Sequence, residues 1–307
     1  MAKLGLLFSG QGSQFQGMSL DFPQAAQFYD KIQTLTSLDL KTVIQTGIHL
    51  NETKYTQLAV FAHSLLAYRQ IKQLNPTIRG LLGFSLGEYS ALCAANVFEM
   101  DQAIELVYNR ALYMDEAANK EEGVMAAVLG LDEKTIQNRL EMVLTGKMYI
   151  ANLNAPNQIV ISGEKKALEE TVNLFKAAGA KRIIPLNVSG AFHSPLMNEA
   201  SHKLKRYLEE VRFNYPSYDI YMNVTGRKLN YKELKELMVN QVVSSVRFVE
   251  SLDMMIKDGF THFIELGPGN VLTNLVKKQT NLEVINFQSM TQFDDVKGWL
   301  KLNGFIE

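Results

Sequence analysis

Ile78-Arg79-Gly80-Leu81-Leu82-Gly83-Phe84-Ser85-Leu86-Gly87-Glu88-Tyr89-Ser90-Ala91-Leu92-Cys93 is the stretch from which the fold follows. Apolar residues lead into it. Beyond it Leu86, Tyr89, Leu92 and Cys93 recur at helical spacing, so the segment reads as strand, sharp turn, helix. At the turn a serine stands between two glycines in the G-x-S-x-G spacing of a nucleophile elbow, which projects the hydroxyl from a strained backbone. Glycines two positions to either side let strand and helix approach closely. The serine would also stand at a helix N-terminus, where backbone N–H groups stabilise developing negative charge.

Outward from the elbow, Leu4 to Phe8 is a second apolar run, closed by Ser9-Gly10-Gln11-Gly12-Ser13-Gln14. It reads as a buried strand ending in a flexible loop. A dinucleotide fingerprint is discounted because Phe15 stands where its third glycine belongs. Residues 23–48 and 56–74 have helical periodicity and cover the sheet, as does 100–118, which carries Arg110. Between Gly123 and Val188 the texture changes: strands at 124–129, 148–154, 158–162 and 182–188 alternate with helices at 132–143 and 165–178. That β-α-β-β-α-β order predicts an inserted ferredoxin-like module over 123–188, with a hairpin turn at Leu153 to Asn157. The flanking segments, 1–122 and 189–307, are expected to form one large α/β-hydrolase-like catalytic domain with a parallel sheet. Strands are expected at 218–224 and 262–266, and helices from the 189–195 loop through Arg206 and over 271–278.

The bulk properties narrow the function. With 307 residues, 47% hydrophobic and 21% charged, the chain can bury a large core. A net charge of −1 gives no general attraction to nucleic acid or an anionic membrane, and no window reaches membrane length. The single cysteine excludes an intramolecular disulfide and suits a reducing compartment. No secretory leader is expected, and the cytoplasm is the expected location.

A serine hydroxyl needs a base. Of five histidines, His49 and His63 fall in apparent helices, His63 reading as a satisfied helix histidine; His262 sits in a strand and His202 on a solvated helix face. His193 lies in the Gly/Ser/Pro-bounded loop Gly190-Ala191-Phe192-His193-Ser194-Pro195 and leads, with His262 and His202 as alternatives. The oxyanion donors would be the Leu86 N–H, as in any such elbow, and the Gln11 loop. Metal chemistry has no motif to carry it: there is no H-E-x-x-H and no cysteine pair.

Four separated motifs, Phe8 to Gln14, Gly83 to Ala91, Gly190 to His193 and Glu265-Leu266-Gly267-Pro268-Gly269, occur in an order and spacing that resembles the malonyl-CoA:acyl carrier protein transacylase family. The likeness spans essentially the whole chain. It implies that Ser85 takes malonyl as an ester, that His193 is its base, and that Gln11 and Leu86 form the oxyanion hole. It also implies that Arg110 pairs with the malonyl carboxylate; without it, Arg110 would read as a solvated helix arginine. Asn154 and Phe192 are expected to bind substrate. Arg247, in Ser245-Val246-Arg247-Phe248, stands where some members have glutamine and is assigned the backbone carbonyl that orients His193. Phe84 replaces the histidine common before the nucleophile and has no role assigned. The implied reaction is a ping-pong transfer in fatty acid biosynthesis from malonyl-CoA to holo acyl carrier protein, with no cofactor, by a monomer. Lys181, Arg182, Lys203 and Arg206 are candidates for a basic docking patch. The rivals are an acyltransferase or acyl hydrolase serving a polyketide synthase, a serine esterase, and a non-enzymatic scaffold.

Overall fold

The computed structural model describes residues 2–120 and 122–307. Its larger sheet contains β1 (Leu4–Phe8) and β2 (Ile78–Gly83), which pair in parallel. Between them run α1 (Ala25–Thr36), α2 (Leu40–Thr46) and α3 (Thr53–Gln73). The helical stretch expected over 23–48 is divided in two: Ser37 turns left-handed to end α1, and the Asp39 carboxylate accepts from Thr42 N to cap α2. His49 lies in the turn that follows rather than in a helix. After β2 come α4 (Leu86–Ala94) and α5 (Met100–Ala118). Cys93 lies in α4, buried, and burial pushes its thiol up to about 12.

A second sheet follows, from β3 (Gly123–Leu129), β4 (Met148–Ala155), β5 (Gln158–Glu164) and β6 (Arg182–Pro185), with α6 (Glu133–Leu140) after β3 and α7 (Leu168–Ala177) after β5. It is antiparallel, in spatial order β4-β5-β3-β6, and encloses its own apolar cluster around Ile136, Ile161 and Phe175. The hairpin is tighter than expected. β4 continues through Asn154 and Ala155, and only Pro156 and Asn157 turn, Asn157 at φ 58°. Strand β6 stops at Pro185, three residues short of expectation.

The chain then returns through α8 (Asn198–Glu209) to β7 (Asp219–Met222), β8 (Arg227–Lys228), α9 (Leu234–Gln241), α10 (Phe248–Lys257), β9 (His262–Leu266), α11 (Val271–Gln279), β10 (Glu283–Phe287) and α12 (Phe293–Leu302). The large sheet is ordered β10-β9-β1-β2-β7-β8; five strands are parallel and the short edge strand β8 is antiparallel to β7. The expectation of a parallel sheet holds for all but that edge.

Register places the site. Phe8 is level with Gly83 on one side and Leu266 on the other, so the loops after β1, β2 and β9 emerge together at the carboxyl edge. The small sheet is tied to that edge: Leu153 N donates to Val246 O, and Val246 N to Ala151 O. Among the described residues, no helix is long and apolar enough to cross a membrane.

Candidate active site

Ser85 is the residue before α4, at φ 52° and ψ −107°, a strained conformation for a residue with a side chain. The flanking glycines are required by contact. A Cβ on Gly83 would lie 2.0 Å from Glu88 N, and one on Gly87 2.0 Å from Phe8 O. The bend is fixed from outside by Asn223, just beyond β7: its Oδ1 accepts from Ser85 N at 2.7 Å, and its Nδ2 donates to Gly83 O at 2.7 Å.

Ser85 Oγ lies 2.7 Å from His193 Nε2. On the far side of the ring, Nδ1 is 2.9 Å from the main-chain oxygen of Gln241. A carbonyl only accepts, so Nδ1 carries the hydrogen and Nε2 presents its lone pair to the serine. Gln241 is the last residue of α9, where a helix leaves its carbonyls without internal partners and partially negative. Burial, then the nearby Arg110 charge, push His193 down to about 4. The imidazole is therefore neutral at pH 7, the state a base requires. His262 instead packs against Trp299 and Phe305 with Nε2 on Asn303, and His202 is exposed. His63 is buried against the Phe22 ring, and among the described residues neither ring nitrogen meets a partner in hydrogen-bond geometry, where a satisfied histidine was expected.

The assignment of the orienting carbonyl to Arg247 is overturned. Arg247 O accepts from Ser251 N, within the first turn of α10, and its guanidinium pairs with Glu250. The relevant glutamine lies six residues earlier, because the chain from Val242 to Val246 has to cross from α9 to the small sheet before α10 begins.

Arg110 is no solvated arginine: it is 1% exposed. Its Nη1 donates to Gln57 Oε1 at 2.5 Å, and its Nη2 to Gln241 Oε1 at 3.0 Å and Ser85 Oγ at 3.4 Å. The guanidinium lies over the Tyr89 ring, 4.9 Å from its centroid, and Nε has no hydrogen-bond partner. Among the described residues no carboxylate forms an ion pair with it. The neutral groups around it leave the buried charge uncompensated, the condition in which a guanidinium gains most from a bound anion.

These groups open into a cavity of about 500 Å³ between the two sheets. Gln11, Leu86, Asn154 and Phe192 all line it. The main-chain N–H groups of Gln11 and Leu86 are engaged by no hydrogen bond among the described residues. Asn154 Oδ1 is likewise unpartnered. Phe84 lines the cavity too, its ring 5.6 Å from that of Phe248. None of Lys181, Arg182, Lys203 and Arg206 lines it, and Lys203 is paired with Glu116 and Glu199.

Sequence reasoning missed Gln57, Glu88, Asn223 and Gln241. Gln57 was discoverable as a polar residue beginning the apolar stripe from Leu58 to Leu66, and Asn223 as a polar residue closing an apolar strand. Glu88 stood in the quoted motif without a task. Nothing local marks Gln241.

A serine on an elbow, a neutral histidine and a buried arginine without an ion pair among the described residues fit an acyl-transferring class, and the acyl transferase domain family matches residues 6–293. The chain belongs to that family. Within it, the chain belongs with the malonyl CoA-acyl carrier protein transacylases: it is 37% identical to the one from Staphylococcus aureus strain MRSA252, over 97% of this chain and 99% of the relative. It is 39% identical to the Bacillus subtilis strain 168 protein of the same name, over 91% and 90%. The crystal structure of the Clostridium perfringens transacylase superposes with a TM-score of 0.93 at 32% identity, covering 99% of this chain and 98% of that one. A structure of a type II PKS acyl carrier protein in complex with its malonyl-transacylase gives 0.92 at 34% identity, with 97% and 99% coverage.

Proposed function

We propose that this chain transfers malonyl from malonyl-CoA to the phosphopantetheine thiol of acyl carrier protein through an ester on Ser85. The single observation that carries the malonyl reading is Arg110, a buried cation with no carboxylate partner, its Nη2 3.4 Å from the serine oxygen. In the first half-reaction, His193 Nε2 takes the Ser85 proton as Oγ attacks the thioester carbon. The resulting oxyanion is met by the Leu86 N–H, and by Gln11 from the loop after β1. Carbonyl reformation breaks the C–S bond, and the CoA sulfur leaves with the proton that His193 held. The carrier thiol then gives its proton to His193, its sulfur attacks the ester carbon, and Ser85 Oγ departs with that proton. Atoms and charge balance without a cofactor. Asn154 and Phe192 are assigned to holding the acyl-thioester arm.

The architectural reading goes with it. Residues 1–122 and 189–307 form an α/β-hydrolase-like catalytic domain, supported by the elbow at a parallel-sheet edge. Residues 123–188 form a ferredoxin-like module, supported by the β4-β5-β3-β6 order.

The test is to mix the protein with malonyl-CoA, quench it and weigh the Ser85 peptide. A malonyl ester that persists in buffer and is discharged by holo carrier protein is expected. An unmodified peptide would sink the proposal, and an ester lost equally fast to water would favour a hydrolase. Carrier proteins of fatty acid and polyketide type, used side by side, identify the partner.

A further inference from the structure

Glu88 is fully buried in the first turn of α4 and touches no cavity surface. Its two oxygens each accept one hydrogen bond: Oε2 from the main-chain N–H of Asn223 at 2.6 Å, and Oε1 from Gln241 Nε2 at 2.8 Å. Both donors are used on an acceptor-only group, which is the pattern of an ionised carboxylate. Burial pushes this carboxyl up to about 7, while the two donors, the first turn of the helix and the Arg110 charge favour ionisation.

The direction of the Gln241 amide follows. Its Nε2 donates to Glu88 and to Ser85 O at 2.9 Å; its Oε1 accepts from Arg110. Reversed, it would aim an amino group at a guanidinium and an oxygen at a carboxylate and a carbonyl. We propose that Glu88 is a positioning residue for acyl selection: its carboxylate fixes the Gln241 side-chain amide, and that amide holds Arg110 ready for the carboxylate of the acyl group. The proposal rests on the malonyl reading above.

Glu88→Gln exposes the logic because it keeps volume. A main-chain N–H cannot turn, so the new amide must offer Asn223 its oxygen and present its amino group to Gln241. Gln241 must then rotate its own amide and withdraw the acceptor from Arg110. Its backbone carbonyl, on which His193 rests, need not move. The expected loss is therefore selective: malonyl uptake from malonyl-CoA falls roughly 10- to 100-fold, while acetyl uptake from acetyl-CoA changes less than about threefold. Labelling of Ser85 by an uncharged fluorophosphonate is expected to stay near the wild-type rate. Gln241→Met, which also removes the donor to Ser85 O, should lower both uptakes but malonyl uptake more than acetyl uptake, and the double variant should lose no more malonyl activity than the worse single one, since the two act in series.

Equal losses for both acyl groups, additive losses in the double variant, or an unchanged malonyl preference with wild type active would overturn the proposal. Should Glu88→Gln fail to fold, Gln241→Met with the same substrates decides: an even loss overturns it. A wild-type chain labelled by fluorophosphonate yet inert to malonyl-CoA would instead bring down the malonyl reading, and this proposal with it.

Discussion

The two walls of the cavity are built on opposite principles. On the large-sheet side, Ser85, Arg110 and His193 line the cavity and are tied to Glu88, Asn223 and Gln241 behind them in one hydrogen-bonded set. The wall from the small sheet presents Met125, Ala127, Val160 and, beyond β6, Leu186 and Val188, interspersed with Asn152, Asn154, Gln158 and Asn187, and among the described residues Asn154 Oδ1 is unpartnered. A buried polar network has few alternative arrangements, because each misplaced donor leaves a costly unsatisfied group. The apolar members of the small-sheet wall lose only contact area when they are trimmed. Under the proposed function, bond-making is assigned to the first side and the arm of the acyl donor to the second.

If that division is right, the largest effect comes from Ser85→Ala, expected to abolish acyl uptake, a fall of about 10⁴-fold or more in single-turnover rate. His193→Ala should come close, since the two act as a unit. Retained uptake in either variant would place the chemistry elsewhere. Arg110→Ala is expected to cost malonyl transfer about 100-fold while leaving acetyl transfer far less affected; kcat/KM for the two donors measures it, and equal losses would make Arg110 structural. Next comes a shift along the pH axis. Because His193 is held down to about 4, it stays neutral as pH falls through the ordinary histidine range and gains its proton only near 4. Fluorophosphonate labelling of Ser85 should then hold its rate down to about pH 5, and an acid limb near 6.5 would contradict it.

The smallest effects belong to the other wall. Val160→Ala and Leu186→Ala are expected to change kcat/KM by less than about fivefold, chiefly through KM. A collapse of kcat would erase the distinction between the walls. For the carrier step, Lys181→Glu with Arg182→Glu tests docking more cleanly than Lys203, whose charge is already met by two glutamates. A fewfold loss with carrier protein and none with CoA is expected.

The same contrast explains what could be read from the chain. The elbow, the alternating module and the helix over 100–118 were legible because each is a local pattern of period or turn residues. Gln241 was not, because its task depends on α9 ending beside His193, a meeting across 48 positions of sequence. Arg247 drew the assignment through alignment of a short motif, yet the chain there is already the start of α10. Arg110 was legible only through resemblance, since burial of a charged residue on an ordinary helix pattern is decided by its neighbours in space. Edge strand β8, of two residues, is too short for any period to show.

One quiet residue bears on the chemistry of sulfur. The external donor and acceptor in the proposed cycle are a thioester and a thiol, and the protein brings one thiol of its own. Cys93 is buried in α4 with its acidity suppressed to about 12, so almost no thiolate exists at neutral pH to intercept an acyl group or exchange with a disulfide of CoA. Acyl loading in the folded state is therefore expected to stop at one equivalent, on Ser85, with the Cys93 peptide unmodified by mass spectrometry.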